Sequence, residues 1–324
     1  MKYRNIPRTD LSVSSFCLGG AHFGTGISAE KAMELMDCFK DIGGNFIDTA
    51  NVYGKWSLEG RSASEEVLGM WIRQRKNRDS IVLTTKGAHP FLSSMNVQRL
   101  SREEISADLD DSLKNLGVDY IDLYWLHRDD PNRSVDEIIE TLETFVKDGR
   151  IRYYSCSNWR VSRINAACEY AGKHNITGFV ADQMMWSLAE PNKEAMFDPN
   201  MVSMDAELKG FHEKTSMAAI PYSSQANGYF SWIEGSDRRE PPKDVLAKYD
   251  NSINRARYER VKELSARSGA SIPGVILAYL INQPFTVIPA AGFDSKQQMK
   301  ELLKDSDLIL TPEDIKYLEA REDE

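Results

Sequence analysis

The chain has 324 residues, 41% of them hydrophobic and 27% charged, a composition that is typical of a folded globular protein and excludes a disordered or fibrous one. Its 49 acidic residues outnumber its 40 Lys and Arg residues, and the formal charge of −9 argues against binding to nucleic acid or to an anionic membrane. We expect a cytoplasmic location, because no apolar run approaches about 18 residues and the first residues carry charges where a signal peptide needs an apolar stretch.

The predicted elements alternate between strands and helices. Residues Lys2 to Ser14, with turn residues at Pro7 to Asp10, predict a hairpin that closes the floor of a barrel. Eight short apolar runs predict buried parallel strands: Phe16 to Gly19, Asn45 to Thr49, Ile81 to Thr85, Ile121 to Leu126, Ile151 to Cys156, Gly178 to Asp182, Ala218 to Tyr222 and Thr286 to Pro289. Amphipathic segments between them predict helices: Ala29 to Asp41, Ser64 to Arg75, Arg102 to Leu116, Val135 to Lys147 and Val161 to His174. The alternation favours an α/β fold, one (β/α)8 TIM barrel domain over residues 1–324, above two doubly wound halves.

Local signals refine this prediction. Ser62 with Glu65 and Ser101 with Glu104 have the spacing of capping boxes, in which a helix begins directly after the serine. The segment Ala226 to Asn251 is rich in Gly, Pro and charged residues, which predicts a long loop or lid after strand seven. The four cysteines have neither CxxC nor zinc-type spacing, so we expect no disulfide framework and no metal site.

Polar side chains follow most of the predicted strands at their carboxyl ends, where barrels of this type build their active sites. In chain order these residues are Asp48, Tyr53, Lys86, His127, Ser157, Asn158, Gln183 and Tyr222. We expect all of them to converge on one mouth of the barrel.

Asp48, Tyr53, Lys86 and His127 together suit proton donation to a carbonyl group that is receiving a hydride. Tyrosine, with an ordinary pKa of about 10, becomes a better acid when an ammonium group such as that of Lys86 favours the phenolate. Asp48 is the counter-charge that a buried lysine needs, and His127 can fix the substrate oxygen. Each residue also has a structural alternative when taken alone: a helix cap, a rim aromatic, a solvated charge or a buried histidine. Their coincidence at three consecutive strand ends favours catalysis.

Four stretches of sequence carry a family resemblance. Residues 44–54 (GNFIDTANVYG) with residues 64–69 (SEEVLG), residues 116–127 (LGVDYIDLYWLH) and residues 149–158 (GRIRYYSCSN) resemble signatures of the aldo-keto reductases. The resemblance spans nearly the whole chain. It implies a (β/α)8 barrel without metal.

For the catalytic residues, the resemblance implies Tyr53 as the proton donor, Lys86 and Asp48 as its tuning pair and His127 as the group that orients the substrate. It also implies a nicotinamide cofactor that lies extended across the barrel mouth. The candidate cofactor-binding residues are Ser157, Asn158 and Gln183 for the carboxamide, Tyr222 for stacking on the nicotinamide ring, and Gly20, Ser223, Gly292, Phe293, Ser295, Lys296 and Gln298.

The phosphate-binding segment departs from the family pattern. Family members often have an arginine where this chain has Gln298, and Lys296 is the cation that remains. Ser295 is expected to cap the following helix, whose N-terminus would meet a phosphate. The resemblance favours NADP, and NAD stays possible because a lysine lacks the bidentate grip of an arginine.

Candidate substrate-binding residues are His22, Trp56, Arg128 and Trp159. Arg128 either attracts an acidic or polyhydroxylated carbonyl compound or forms a rim ion pair with Asp129 or Asp130, and the sequence does not decide between these.

The leading hypothesis is an NAD(P)H-dependent carbonyl reductase, or the reverse alcohol dehydrogenase, that acts on a small molecule. An alternative is a nicotinamide-sensing regulatory subunit of the potassium-channel barrel-subunit type with slow turnover. A metal-assisted barrel enzyme ranks last, because such a site needs clustered ligands at the strand ends. The substrate, the direction of the reaction and the oligomeric state stay open.

Overall fold

An N-terminal hairpin precedes eight parallel strands in the computed structural model, which describes residues 1–57, 60–196, 198–235 and 240–321. The strands are β1 Tyr3–Asn5, β2 Ser12–Ser14, β3 Cys17–Gly19, β4 Phe46–Asp48, β5 Val82–Gly87, β6 Ile121–Leu126, β7 Ile151–Ser157, β8 Phe179–Gln183, β9 Ala218–Ala219 and β10 Ala290–Ala291. β1 and β2 pair antiparallel, as predicted. The other strands form one parallel sheet in the order β10-β3-β4-β5-β6-β7-β8-β9.

Backbone hydrogen bonds between the segments around β9 and β10 complete the ring. The Ala219 N–H donates to the Thr286 carbonyl at 2.9 Å, and the Ile288 N–H donates to the Ala219 carbonyl at 2.9 Å. The predicted (β/α)8 barrel is therefore confirmed. The predicted bounds of the last strand, Thr286 to Pro289, differ from those of β10: the predicted residues bond to β9, and the regular pairing with β3 is made by Ala290 and Ala291.

Helices alternate with the strands and have these bounds: α1 Ala29–Asp41, α2 Ala63–Arg75, α3 Arg102–Leu116, α4 Val135–Lys147, α5 Val161–His174, α6 Ala206–Thr215, α7 Tyr229–Glu234, α8 Lys243–Tyr249, α9 Ser252–Ser268, α10 Ile272–Ile281, α11 Lys296–Lys304 and α12 Pro312–Glu319. The capping box of Ser101 and Glu104 is confirmed at the start of α3. The one predicted for Ser62 and Glu65 was wrong. The Ser62 hydroxyl donates to the Asn51 carbonyl at 2.6 Å, and the buried Glu65 accepts from the Thr85 hydroxyl at 2.6 Å.

The segment predicted as a long loop or lid, Ala226 to Asn251, contains α7 and α8 instead; its residues 236–239 lie outside the described part of the chain. Tyr229, Phe230 and Tyr249 are buried in the main hydrophobic core. The Gly and Pro residues of this segment favoured a loop. Its aromatic residues provide enough apolar surface to pack these two short helices against the core.

The hairpin closes one end of the barrel, as predicted. Ile6, Leu11 and Val13 pack in one cluster with inward-facing strand residues such as Phe46 and Trp125. This cluster fills the floor, so the opposite end, at the carboxyl ends of the strands, is the mouth.

Within the described residues, no single helix is long and apolar enough to span a membrane. The pair α9 and α10 meets such a criterion only when it is joined across a bend of 97°, and nine of the ten residues of α10 are buried in the protein.

Candidate active site

A buried ion pair lies at the mouth between β4 and β5. The Lys86 Nζ contacts the Asp48 carboxylate and donates to the Thr49 carbonyl at 2.9 Å. The other Asp48 oxygen accepts from the Thr84 hydroxyl at 2.6 Å, and this hydroxyl accepts in turn from the Trp125 indole at 2.9 Å. The carboxylate is thus hydrogen-bonded on both oxygens, as a buried charge requires.

Tyr53 lies directly above this pair, on the loop that follows β4. The Lys86 Nζ is 3.3 Å from the Tyr53 hydroxyl oxygen and 4.8 Å from the centre of its ring. Burial by itself lowers the pKa of Lys86, but the neighbouring Asp48 and Tyr53 oxygens act more strongly in the opposite direction, and the net pKa is raised. Lys86 is therefore a cation at neutral pH, in contact with the hydroxyl of Tyr53.

His127, directly after β6, completes the predicted set. Its ring meets that of Tyr53 edge to face at 5.8 Å between centroids. Burial, and then the neighbouring His89, Arg128 and Lys86, hold the pKa of His127 well below its usual value, so the ring is neutral. Its Nδ1 is buried without a hydrogen-bond partner. An unpaired acceptor costs less than an unpaired N–H in this position, which favours the tautomer with the proton on Nε2.

Sequence reasoning missed His89, which lies three residues after Lys86 on the loop that follows β5. Its ring packs against that of His127 edge to face at 4.8 Å, closer than Tyr53 does. The sequence signal for His89 is its position three residues after Lys86, since polar residues close to a strand end of a barrel face the mouth.

The carboxyl ends of β7 and β9 are joined through the side chain of Asn158. Its Nδ2 donates to the His127 carbonyl at 3.2 Å and to the Ser157 hydroxyl at 3.0 Å. Its Oδ1 accepts from the Tyr222 hydroxyl at 2.7 Å and from the Val202 N–H at 3.1 Å. All four hydrogen-bonding positions of the amide are engaged within the protein in this arrangement.

Gln183, at the end of β8, differs from Asn158 in this respect. Its Nε2 is buried and has no hydrogen-bond partner among the described residues. A buried, unpaired amide donor costs free energy unless a ligand accepts from it, and the carbonyl of a primary carboxamide is a suitable acceptor. Together with the half-buried ring of Tyr222, this donor fits a nicotinamide group.

The other residues predicted for the cofactor are distributed along the mouth. Gly20 is tightly enclosed, since a Cβ there would come within 3.1 Å of the Asp48 carbonyl and of the Ser64 hydroxyl. Ser223 is half-buried and Gly292 exposed, whereas Phe293 is buried, with its ring 6.0 Å from that of Phe16. Phe293 therefore anchors its loop from below.

The start of α11 carries the predicted phosphate-binding residues. Ser295 caps the helix, as expected, by accepting from the Gln298 N–H at 3.2 Å, and the Gln298 side chain accepts from the Asp294 N–H at 2.8 Å. Lys296 forms an exposed ion pair with Glu34 of α1 at 2.9 Å. The cation at this position is therefore shared with a carboxylate.

Two of the residues predicted for the substrate lie open at the mouth. Trp56 is 48% exposed with its ring 6.0 Å from that of Tyr53, and His22 is exposed on the loop after β3. Trp159 is different, because it is fully buried against Phe179 and presents no surface to a substrate.

Arg128 is buried and paired, but not with the predicted partners. Its guanidinium binds Asp198, on the segment that follows β8, at 2.9 Å, and also donates to the His127 carbonyl at 2.9 Å. Of the two alternatives left open by the sequence, the rim pair with Asp129 or Asp130 was wrong, since Arg128 pairs with Asp198 and Asp129 pairs with Arg163 at 3.0 Å. Adjacency in sequence did not predict the partner because the loops fold back over the mouth.

Comparisons with known proteins show which family and fold this chain has. The model of the Aldo/keto reductase family matches residues 15–323. The chain is 29% identical to a norsolorinic acid reductase B of Dothistroma septosporum, over 99% of this chain and 81% of that protein. It is 29% identical to an oxidoreductase of Bacillus subtilis, over 98% and 95%, and 27% identical to an aryl-alcohol dehydrogenase of Pestalotiopsis microspora, over 97% and 80%. A crystallised thermostable aldo-keto reductase in complex with the inhibitor epalrestat has the same fold, with a TM-score of 0.69 at 23% identity over 98% of this chain and 99% of that one.

Proposed function

Because the chain belongs to the aldo/keto reductase family, and is therefore an oxidoreductase, we propose that it reduces an aldehyde or ketone to an alcohol, or catalyses the reverse reaction, with NADPH or NADH. The observation that carries this proposal is the contact of the Tyr53 hydroxyl with the Lys86 Nζ at 3.3 Å, beside Asp48 and the ring of His127. A phenol next to a buried, paired ammonium is the arrangement that an acid catalyst for carbonyl reduction needs.

Each residue of this set has a separate role in the proposed reaction. When bound, the reduced nicotinamide supplies a hydride to the carbonyl carbon. The Tyr53 hydroxyl donates its proton to the carbonyl oxygen, and Lys86 stabilises the phenolate that remains. Asp48 keeps Lys86 charged and oriented. The His127 Nε2–H donates a hydrogen bond to the same oxygen and so fixes the carbonyl for the transfer.

For the cofactor, the unpaired Nε2 of Gln183 and the ring of Tyr222 support a carboxamide and a nicotinamide ring at the ends of β8 and β9. NADPH is favoured by family resemblance. The competing ion pair of Lys296 with Glu34 supports only a modest preference for the 2′-phosphate, since an exposed, shared ammonium holds an anion weakly.

For the substrate, the exposed side chains at the mouth favour an aromatic carbonyl compound. Trp56, Phe91 and Leu92 are 48%, 59% and 44% exposed on the loops that follow β4 and β5, and such apolar groups pack well against an aromatic ring. The aryl-alcohol dehydrogenase named above carries the same substrate class in its name. No observation on the described residues favours the alternative of a regulatory subunit.

Tryptophan fluorescence during cofactor titration, followed by turnover with aromatic aldehydes, tests this function. The backbone N–H of Trp186 donates to the Tyr222 carbonyl at 3.2 Å, and the ring of Trp56 lies 6.0 Å from that of Tyr53, so two tryptophans neighbour residues of the proposed site. We expect NADPH or NADH to change the emission, and an aromatic aldehyde then to oxidise the bound cofactor. The absence of any change with both cofactors would refute the proposal.

A further inference from the structure

The imidazole of His89 lies beside the proposed catalytic groups, and the mechanism above does not use it. Its ring is 4.8 Å from that of His127 between centroids, on the side of the mouth formed by the loop after β5. His89 also lines a cavity together with Lys86, Phe91 and Leu92. His89 is therefore a polar group whose ring packs against that of His127, at the edge of a cavity that Phe91 and Leu92 also line.

The hydrogen bonds of His89 define which of its nitrogens is free. Its Nδ1 is 2.7 Å from the Pro90 carbonyl oxygen, which can only accept, so Nδ1 carries the proton. Burial first, and then the charge of Arg128, lower the pKa of His89 to about 4, so the ring stays neutral near neutral pH. Nε2 then holds a bare lone pair, to which no group in the described part of the chain donates a hydrogen bond.

The backbone around His89 is held by the ion pair between Arg99, which precedes α3, and Asp108 of α3. Arg99 donates to the His89 carbonyl at 3.0 Å and binds Asp108 with two bonds of 2.9 and 3.0 Å. Asp108 also accepts from the Ala88 N–H at 2.8 Å, and the Arg99 guanidinium covers the ring of Phe91 at 4.0 Å. The backbone on both sides of His89 is thus fixed, which is the preorganisation that a binding group needs.

We propose that His89 is a specificity-determining residue that accepts a hydrogen bond at Nε2 from a hydroxyl group of the substrate, so that hydroxylated aromatic aldehydes or ketones are the preferred substrates. The inference rests on the proposed function. Tyr53 and His127 both offer hydrogen-bond donors to the carbonyl oxygen. His89 offers an acceptor, on a ring whose centroid is 4.8 Å from that of His127. Phe91 and Leu92, beside it, provide apolar surface for the aromatic ring.

Pairs of substrates that differ only in this donor test the proposal. Meta- and para-hydroxybenzaldehyde are compared with their methyl ethers, which keep the oxygen but cannot donate; the ortho isomer is left out because its hydroxyl bonds to its own carbonyl. For at least one isomer we expect the wild type to favour the hydroxy compound in kcat/KM by about three- to tenfold, the value of one neutral hydrogen bond. In His89→Phe this ratio should fall to about one.

Two further variants separate hydrogen bonding from packing. His89→Gln retains an acceptor oxygen and should keep part of the preference. His174→Phe, at the far end of α5 and on the floor side of the barrel, should leave the wild-type ratio unchanged.

Equal kcat/KM for hydroxy and methoxy compounds in the wild type, for both isomers, overturns the role of His89 even if the variants do not fold. A preference that survives in His89→Phe overturns it as well, while carbonyl reduction stands. If the wild type reduces none of the four aldehydes with either cofactor, the proposed function fails, and the inference fails with it.

Discussion

Lys86→Met should destabilise the fold and alter catalysis through the same buried charge. Asp48 is 4% exposed, and without the lysine its carboxylate keeps only the Thr84 hydroxyl as a side-chain donor among the described residues. Removal of one member of such a pair costs about 3 to 5 kcal/mol, because the remaining charge is buried without compensation. With an unfolding entropy of roughly 0.7 kcal/mol/K for a chain of this length, the melting temperature should fall by about 4 to 7 °C.

The double variant with Asp48→Asn isolates the pair. Asp48→Asn alone leaves the Lys86 ammonium buried and should cost a similar amount, whereas the double variant removes both charges and should cost clearly less than the sum. Urea denaturation of the four proteins at pH 7 gives the coupling free energy, which we expect to be about 2 kcal/mol or more. Additive effects of the two substitutions would refute the reasoning that the charges depend on each other.

The same Lys86→Met protein tests the acid assignment. In the proposed mechanism, reduction requires the protonated phenol of Tyr53, so we expect activity to fall at high pH. Without the neighbouring cation the phenolate is less stable, and the alkaline limb of the pH–rate profile should move to higher pH. An unchanged limb would mean that Lys86 is only structural.

Three other changes give distinct results. Tyr53→Phe should keep the fluorescence response to cofactor but lower turnover by about 10² or more, and turnover near the wild-type value would contradict its role as the acid. Lys296→Ala should reduce the ratio of the NADH to the NADPH dissociation constant, and Glu34→Gln should raise this ratio because it frees the Lys296 ammonium from its ion pair. A large ratio that survives Lys296→Ala would mean that another residue binds the 2′-phosphate. Burial lowers the pKa of His89 to about 4 in the folded state. Between pH 7 and pH 5 this imidazole therefore takes up a proton mainly in the unfolded chain. The contribution of His89 to the free energy of unfolding should fall by about 2 kcal/mol over this range. Urea denaturation at pH 7 and pH 5 should show that the free energy of unfolding falls by about 2 kcal/mol less in His89→Phe than in the wild type. An equal fall in both proteins would contradict the lowered pKa of His89.

The positions of the proposed catalytic residues follow from the sequence because they depend on local pattern. Apolar runs of strand length fix where β4, β5 and β6 end, and in a parallel barrel all strand ends face the same mouth. The convergence of Asp48, Lys86 and His127 can therefore be predicted without knowing the conformation of any loop. Their proposed roles, like the single domain, stay predictions.

Other features depended on contacts between distant segments. Arg128 pairs with Asp198, 70 residues away, and Lys296 pairs with Glu34 across α1 and α11. The choice among several nearby carboxylates is decided by loop packing, which the sequence pattern does not encode.

Local pattern was thus enough to predict the barrel, the floor hairpin and the strand ends near the candidate acid and its ion pair, because periodicity and the order of strands are read directly along the chain. Tertiary structure alone decided that the segment after β9 folds into α7 and α8, that Gln183 rather than Asn158 has an unpaired amide, and that His89 packs on His127. These features depend on which side chains hydrogen-bond to each buried polar group and pack against each buried apolar group. Both are decided by burial, which is a property of the whole fold.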